Sequence, residues 1–249
     1  MKKLLFLSGL AMLLALSSCA KKDAEAPKTD DAAVAQEADK AEAPKDLTPQ
    51  QMADSVEFTV DGLKTLFKNN PLTADEYEAY MLSYAKCEFK ENNGFYNYKD
   101  CPAKQLALSN GVPGIAPKEM FSVLSRLIKH ENAIVRDRAY DELYFGEDTI
   151  ATIMAALKEE KDPKVELTFF VRLCSSSLLT NPEVAPYIKS KLKGDDANFR
   201  MQFFYNAREK NTKDDPEFAT IISDMCQNDP DEEVKAKACE LLPKYQAQE

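Results

Sequence analysis

The sequence predicts an all-α fold, and three observations carry that expectation. Helix-start signals recur along the chain, four segments share one apolar stripe, and the residues that β-rich folds and phosphate loops depend on are scarce. Only 7 Gly and no Trp occur in 249 residues, too few for turn-dense sandwiches or glycine loops that need close backbone approach. A hydrophobic fraction of 44% is enough to build a core, which excludes wholesale disorder. With 42 acidic against 32 basic side chains the formal net charge is -10. That balance argues against nucleic acid as a partner, because phosphate binding draws its free energy from clustered Lys and Arg displacing counterions. The single His removes most triads and zinc sites, so no metal or cofactor is expected.

The chain opens with Met1-Lys2-Lys3, then a 13-residue uncharged run from Leu4 to Leu16. At about 1.5 Å per residue this run is too short to cross a hydrocarbon layer of roughly 30 Å, so it reads as the core of an export signal. It ends in Leu16-Ser17-Ser18-Cys19, which resembles the bacterial lipobox: an aliphatic residue, two small ones, then Cys. The resemblance implies cleavage after residue 18, diacylglycerol on the Cys19 thiol, and acylation of the new amino group. Each buried chain methylene contributes about 0.8 kcal/mol, so two or three acyl chains hold a protein on a bilayer. Position 20 is Ala rather than the Asp that resembles an inner-membrane retention signal in enteric bacteria. This implies an outer-membrane lipoprotein facing the periplasm. The stretch that follows, 20–46, holds nine Ala and thirteen charged residues, with Val34 its only sizeable aliphatic side chain. Such a composition cannot offset the entropy of ordering, and a disordered tether with an r.m.s. reach of about 30 Å is expected.

Folded structure is predicted from residue 47. Thr48-Pro49-Gln50-Gln51 combines a capping hydroxyl, a proline at the first helical position and a reciprocal Gln. Met52, Val56, Val60, Leu63 and Phe67 then keep helical spacing up to Asn69-Asn70-Pro71. A second capping box, Thr73-Ala74-Asp75-Glu76, opens a helix carrying Tyr77, Tyr80, Met81, Tyr84 and Phe89. These two are expected to pair as a helical hairpin.

From residue 117 the chain resembles itself. Anchors at Val135, Val165, Phe199 and Val234 are spaced by 30, 34 and 35 residues. Three positions earlier stand the N-cap residues Asn132, Asp162, Asp196 and Asp231. Four positions after each anchor come Ala139, Phe169, Phe203 and Ala238; five after, Tyr140, Phe170, Phe204 and Cys239; eight after, Leu143, Leu173, Ala207 and Leu242. Twelve before stand Val123, Ile153, Tyr187 and Ile222, and fifteen before, Met120, Ile150, Val184 and Ala219. Each unit thus reads as two antiparallel helices whose apolar faces are hidden only by stacking on neighbours.

The segments Asn132-Ala133-Ile134-Val135-Arg136-Asp137-Arg138-Ala139 and Asp229-Pro230-Asp231-Glu232-Glu233-Val234-Lys235-Ala236-Lys237-Ala238 resemble the second-helix signature of HEAT-like repeats. The middle units depart from it, with Glu166 in place of the basic residue after Val165 and Phe199 in place of the aliphatic anchor. The resemblance covers about 117–245 and implies a right-handed α-solenoid of about four hairpins; a repeat domain is thus expected over 117–249, after an N-terminal helical hairpin and disulfide-loop cap over 47–116. It also implies that the second helices line an inner, macromolecule-binding surface. That surface would carry Arg138, Asp141, Glu142, Arg172, Gln202, Asn206, Arg208 and Lys237, mixed charges that suit a polypeptide better than a polyanion.

Six Cys in an exported chain raise the question of disulfides. With Cys19 lipidated, Cys87 and Cys101 are expected to bridge around a polar, aromatic loop with Asn92-Asn93-Gly94 at its turn. The alternative is two free thiols facing solvent. Cys226 and Cys239 read as small core residues or, more weakly, a second bridge, and Cys174 as unpaired. The rings Phe95, Tyr96 and Tyr98 are expected to cover the open end of the helical stack, or else to form an exposed contact site.

Enzymatic readings find little support. Ser83-Tyr84-Ala85-Lys86 and Ser190-Lys191-Leu192-Lys193 have S-x-x-K spacing, but the companion S-D-N and K-T-G elements are missing. His130, at the end of a first helix, is expected to interact with the last carbonyls. The functional expectation is an envelope lipoprotein that binds an unidentified protein or peptide. A carboxylate-based glycan hydrolase and a structural spacer are the alternatives, and the oligomeric state is left open.

Overall fold

A computed structural model describes residues 47–246 apart from 99, 209, 210, 213 and 214. The expected export signal, Cys19 and the tether lie outside the described residues. Twelve α-helices and one two-stranded hairpin are present among those described, which makes the fold helical as expected. No described helix is long and apolar enough to cross a membrane.

The first predicted helix is divided in two. Both capping boxes form, at Thr48 with Gln51 and at Thr73 with Glu76. However, α1 (Pro49–Ser55) stops at Val56, and α2 (Val60–Lys64) starts afresh at Thr59, whose hydroxyl accepts from the Gly62 amide. The local cap competes with helix continuation, and it wins here although the apolar spacing runs straight through. Helix α3 (Ala74–Leu82) packs on α1 and passes into a 3₁₀ turn at Ser83–Lys86. It therefore ends before Phe89, where the spacing extends it. Strands β1 (Lys90–Asn92) and β2 (Phe95–Asn97) pair antiparallel across Asn93 and Gly94. Both turn residues have positive φ, 50° and 81°, the conformation a two-residue hairpin turn requires. Helix α4 (Pro102–Leu108), which no stripe in the sequence marks, follows directly.

The rest of the chain alternates between first and second helices. These are α5 (Pro117–Leu127) with α6 (Ala133–Glu142), α7 (Ile150–Glu159) with α8 (Pro163–Ser175), α9 (Ala185–Leu192) with α10 (Ala197–Asn206), and α11 (Glu217–Asn228) with α12 (Glu232–Gln246). Asn132, Asp162, Asp196 and Asp231 each accept from backbone amides at the start of their second helix, as expected. The anchors Val135, Val165, Phe199 and Val234 are buried, and so are the residues four positions after them. Second helices pack on one another in order, α6 on α8, α8 on α10 and α10 on α12. Phe169 meets Tyr140 edge to face at 4.9 Å, and Phe203 stacks on Phe218 at 5.7 Å. Each such ring contributes about 1.5–3 kcal/mol by leaving water.

The basic residue after the anchor joins successive hairpins. Arg136 grips Glu160 through two hydrogen bonds, 2.7 and 2.9 Å, and donates to the His130 and Glu131 carbonyls. Arg200 repeats the arrangement with Asp229 and the Gly194 carbonyl. Where Glu166 stands in that position the polarity is reversed, and Lys191 on α9 pairs with it at 2.6 Å. His130 differs from expectation, since its Nδ1 accepts from the Asn132 amide.

Candidate functional site

The β-hairpin folds back on the second helices. Side chains two apart in a strand share a face, so Tyr96 and Tyr98 point the same way, and both hydroxyls end on acids of the helical layer. Tyr96 donates to Asp162 Oδ2 at 2.7 Å, and Tyr98 donates to Asp137 Oδ2. At the turn, a Cβ on Gly94 would lie 2.9 Å from Leu167 Cδ2 on α8. Glycine is favoured there by its positive φ, and a side chain would also displace the end of Leu167. The rings thus lie on the α6–α8 face rather than across an end of the helical stack, because the acceptors for their hydroxyls are there. Tyr98 is buried, and Phe95 and Tyr96 are partly buried against the core.

The Cys87–Cys101 disulfide closes the base of this hairpin. A second bridge, Cys226–Cys239, joins α11 to α12. Cys239 is exposed, so this pair acts as a surface link and not as two small core residues. Cys174 is a buried free thiol, pushed up by burial.

Between hairpin and helices lies a cavity of about 600 Å³. Phe95, Tyr96 and Tyr98 form one wall, and Lys104 and Leu108 of α4 another. Asp137 and Asp141 of α6, Thr168 and Arg172 of α8, and Gln202 of α10 form the floor. Of the eight surface residues expected, the structure brings Asp141, Arg172 and Gln202 to this cavity. Asn206 donates to Gln202 from the next turn. Arg208 is exposed elsewhere, and Lys237 pairs with Glu240.

Arg138 corrects the expectation most clearly. It is 5% exposed, pairs with Asp141 and Glu142, and lies 5.3 Å from the Tyr84 ring centre. The N-terminal helices pack over this part of α6, so a residue that would face a groove in an isolated repeat lies underneath a neighbour. Asp137, Thr168, Lys104 and Leu108 are cavity residues that the sequence reading missed. Thr168 occupies the column of Arg138 and Gln202, and Asp137 precedes Asp141 by one helical turn. Those signals were available for both. Lys104 and Leu108 come from a helix with no repeat to mark it.

The floor is electrostatically uneven. Burial raises Asp137 from the ordinary 3.8 to about 6, against the opposing influence of the Thr168 and Tyr98 hydroxyls and the Arg138 charge. Its Oδ1 has no hydrogen-bond partner among the described residues. Burial, then the Arg138 charge, lowers Lys104 against the opposing pull of the Asp141 and Asp137 charges. The Arg172 guanidinium donates to the Leu143 carbonyl at 3.0 Å and lies 5.3 Å from the Phe145 ring centre. Neither Lys104 nor Arg172 has an ion-pair partner among the described residues. The two S-x-x-K pairs are taken up structurally. Ser83 donates to the Tyr80 carbonyl and Lys86 to that of Ala53, while Ser190 donates to the Tyr187 carbonyl and Lys193 pairs with Glu217.

The raised Asp137 sets a pH dependence. Between about pH 4 and 6 the folded chain holds a proton there that the unfolded chain has released, so this group's contribution to stability grows as pH falls through that window. The difference between 3.8 and about 6 corresponds to on the order of 3 kcal/mol. Asp137→Asn is therefore expected to melt higher than the parent at pH 8, with the gap closing toward pH 5. Thermal denaturation at both pH values checks this.

Comparison with known proteins found no matching family model, no matching curated protein and no matching solved structure.

Proposed function

We propose that the chain is a lipid-anchored envelope lipoprotein of the outer membrane, held by Cys19. Its helix pairs form a HEAT-like solenoid that binds a protein or peptide in the cavity beneath the disulfide-closed hairpin. The observation that carries this reading is the cavity itself. It is preformed, of ligand size, and lined by aromatic rings together with charged groups and one carboxylate oxygen, Asp137 Oδ1, that makes no hydrogen bond among the described residues. The columns of buried anchors and the Arg136 and Arg200 links between successive hairpins support the repeat reading. Preorganisation by the Cys87–Cys101 bridge lowers the entropic cost of binding.

The test is equilibrium dialysis of the full chain, solubilised in detergent, against a pool of short peptides and against cell-wall oligosaccharides. Retention of peptides by the parent, and its loss in Arg172→Glu, is the expected result. A second reading, glycan hydrolysis, is favoured by one observation: Asp137, raised to about 6, shares the cavity with Asp141 one turn along. Release of reducing sugar by the parent but not by Asp137→Asn would favour that reading instead.

A further inference from the structure

The charged groups in the cavity define a pattern. Asp137 Oδ1, on the floor, needs a donor. Lys104 and Arg172 line the same space with no carboxylate within ion-pair distance among the described residues, and the Asp141 and Asp137 charges act on Lys104 from farther off. Leu108, 72% exposed, lines the same cavity as Phe95 and Tyr96. A neutral sugar satisfies Asp137 but brings no anion to either cation. A polyanion answers the cations but brings several charges against Asp137 and Asp141. One unit that supplies a donor, a single negative charge and an apolar group together is an amino-acid residue carrying a carboxylate.

We propose that the cavity recognises a short peptide by a carboxylate at its end. Lys104 and Arg172 take the carboxylate, Asp137 Oδ1 accepts a peptide N–H, and the adjoining apolar side chain rests among Phe95, Tyr96 and Leu108. The inference rests on the peptide-binding reading above and narrows it to one chemical class. Lys104 is half-buried and Arg172 is anchored by Leu143 and Phe145. Both cations are therefore partly desolvated and held in place, which strengthens a charge-assisted hydrogen bond over one made at an open surface.

The experiment compares three probes on the full chain in detergent by fluorescence anisotropy. These are a dye-labelled Ala-Leu-Phe with free carboxyl end, the same peptide as its amide, and labelled Ala-Leu-Glu amide. The free acid is expected to bind at least about tenfold more tightly than its amide. Lys104→Gln and Arg172→Gln are each expected to remove about tenfold from the acid and less than about twofold from the amide. Binding of the Glu amide as tight as that of the acid supports the carboxylate pattern and assigns it to a side chain rather than the chain end. Equal binding of acid and Ala-Leu-Phe amide overturns the inference while leaving peptide binding in place. Failure of all three probes overturns both. The acid-against-amide comparison on the parent stands even if a variant fails to fold.

Discussion

Arg200→Ala is expected to destabilise the chain by about 3–5 kcal/mol. The side chains of Arg200 and Asp229 are 4% and 3% exposed. Arg200 Nη2 donates to Asp229 Oδ1 at 3.0 Å, while Nε lies 2.8 Å from Oδ2 at an angle that makes no hydrogen bond. Asp229 also accepts from the Asp231 amide at the start of α12. Truncating the arginine strands a buried carboxylate at the turn between α11 and α12 and frees the Gly194 carbonyl. Replacing both partners by apolar residues, Arg200→Met with Asp229→Leu, avoids the stranded charge and is expected to cost less. Chemical denaturation of the three proteins separates the outcomes. Equal losses in the single and double variants would mean that packing, not the ion pair, sets the cost.

The second large effect is at the hairpin. Cys87→Ser with Cys101→Ser opens a loop whose ends are 14 residues apart, and for a loop of this size the expected loss is about 3 kcal/mol. The loss is expected to be local as well as global. Once the base is free, the Tyr96 and Tyr98 hydroxyl bonds, the Lys164 ammonium over the Tyr96 ring and the packing of Phe95 are left to hold β1 and β2 on α6 and α8. Hydrogen exchange should therefore speed up in residues 90–98 before it does in the second helices, and peptide binding should fall with it. The corresponding change at Cys226 and Cys239 removes a surface link between α11 and α12, far along the chain from the cavity. It is expected to leave binding unchanged.

The second helices were legible in the sequence because their signals are local and repeated. A capping Asn or Asp three positions before the anchor and an apolar residue four after it suffice, and both are realised in every pair. Legibility failed where one element covers another. Arg138 occupies a column that faces the cavity at Thr168 and Gln202, yet the N-terminal helices bury it, and no spacing within the repeat encodes that cover. Asp137 is the converse case. Its place one turn before Asp141 was legible, but its burial was not, because the hairpin that covers it and brings the Tyr98 hydroxyl comes from 39 residues away in sequence. The break between α1 and α2 has a nearer cause. The Thr59 cap was present in the sequence, but the apolar stripe crossing it hid the stop. The cystine loop was found from its spacing and turn, and its resting place was missed because the hydroxyl acceptors come from two different helices.

The most direct test of the account is to map where a bound peptide lies. A benzophenone-bearing Ala-Leu-Phe with free carboxyl end, photolysed on the full chain and located by mass spectrometry, is expected to label the hairpin residues 92–98 together with α6 or α8. An excess of unlabelled peptide is expected to abolish the labelling. Labelling confined to the first helices α7, α9 and α11, or indifferent to competitor, would contradict a binding cavity between the hairpin and the second helices.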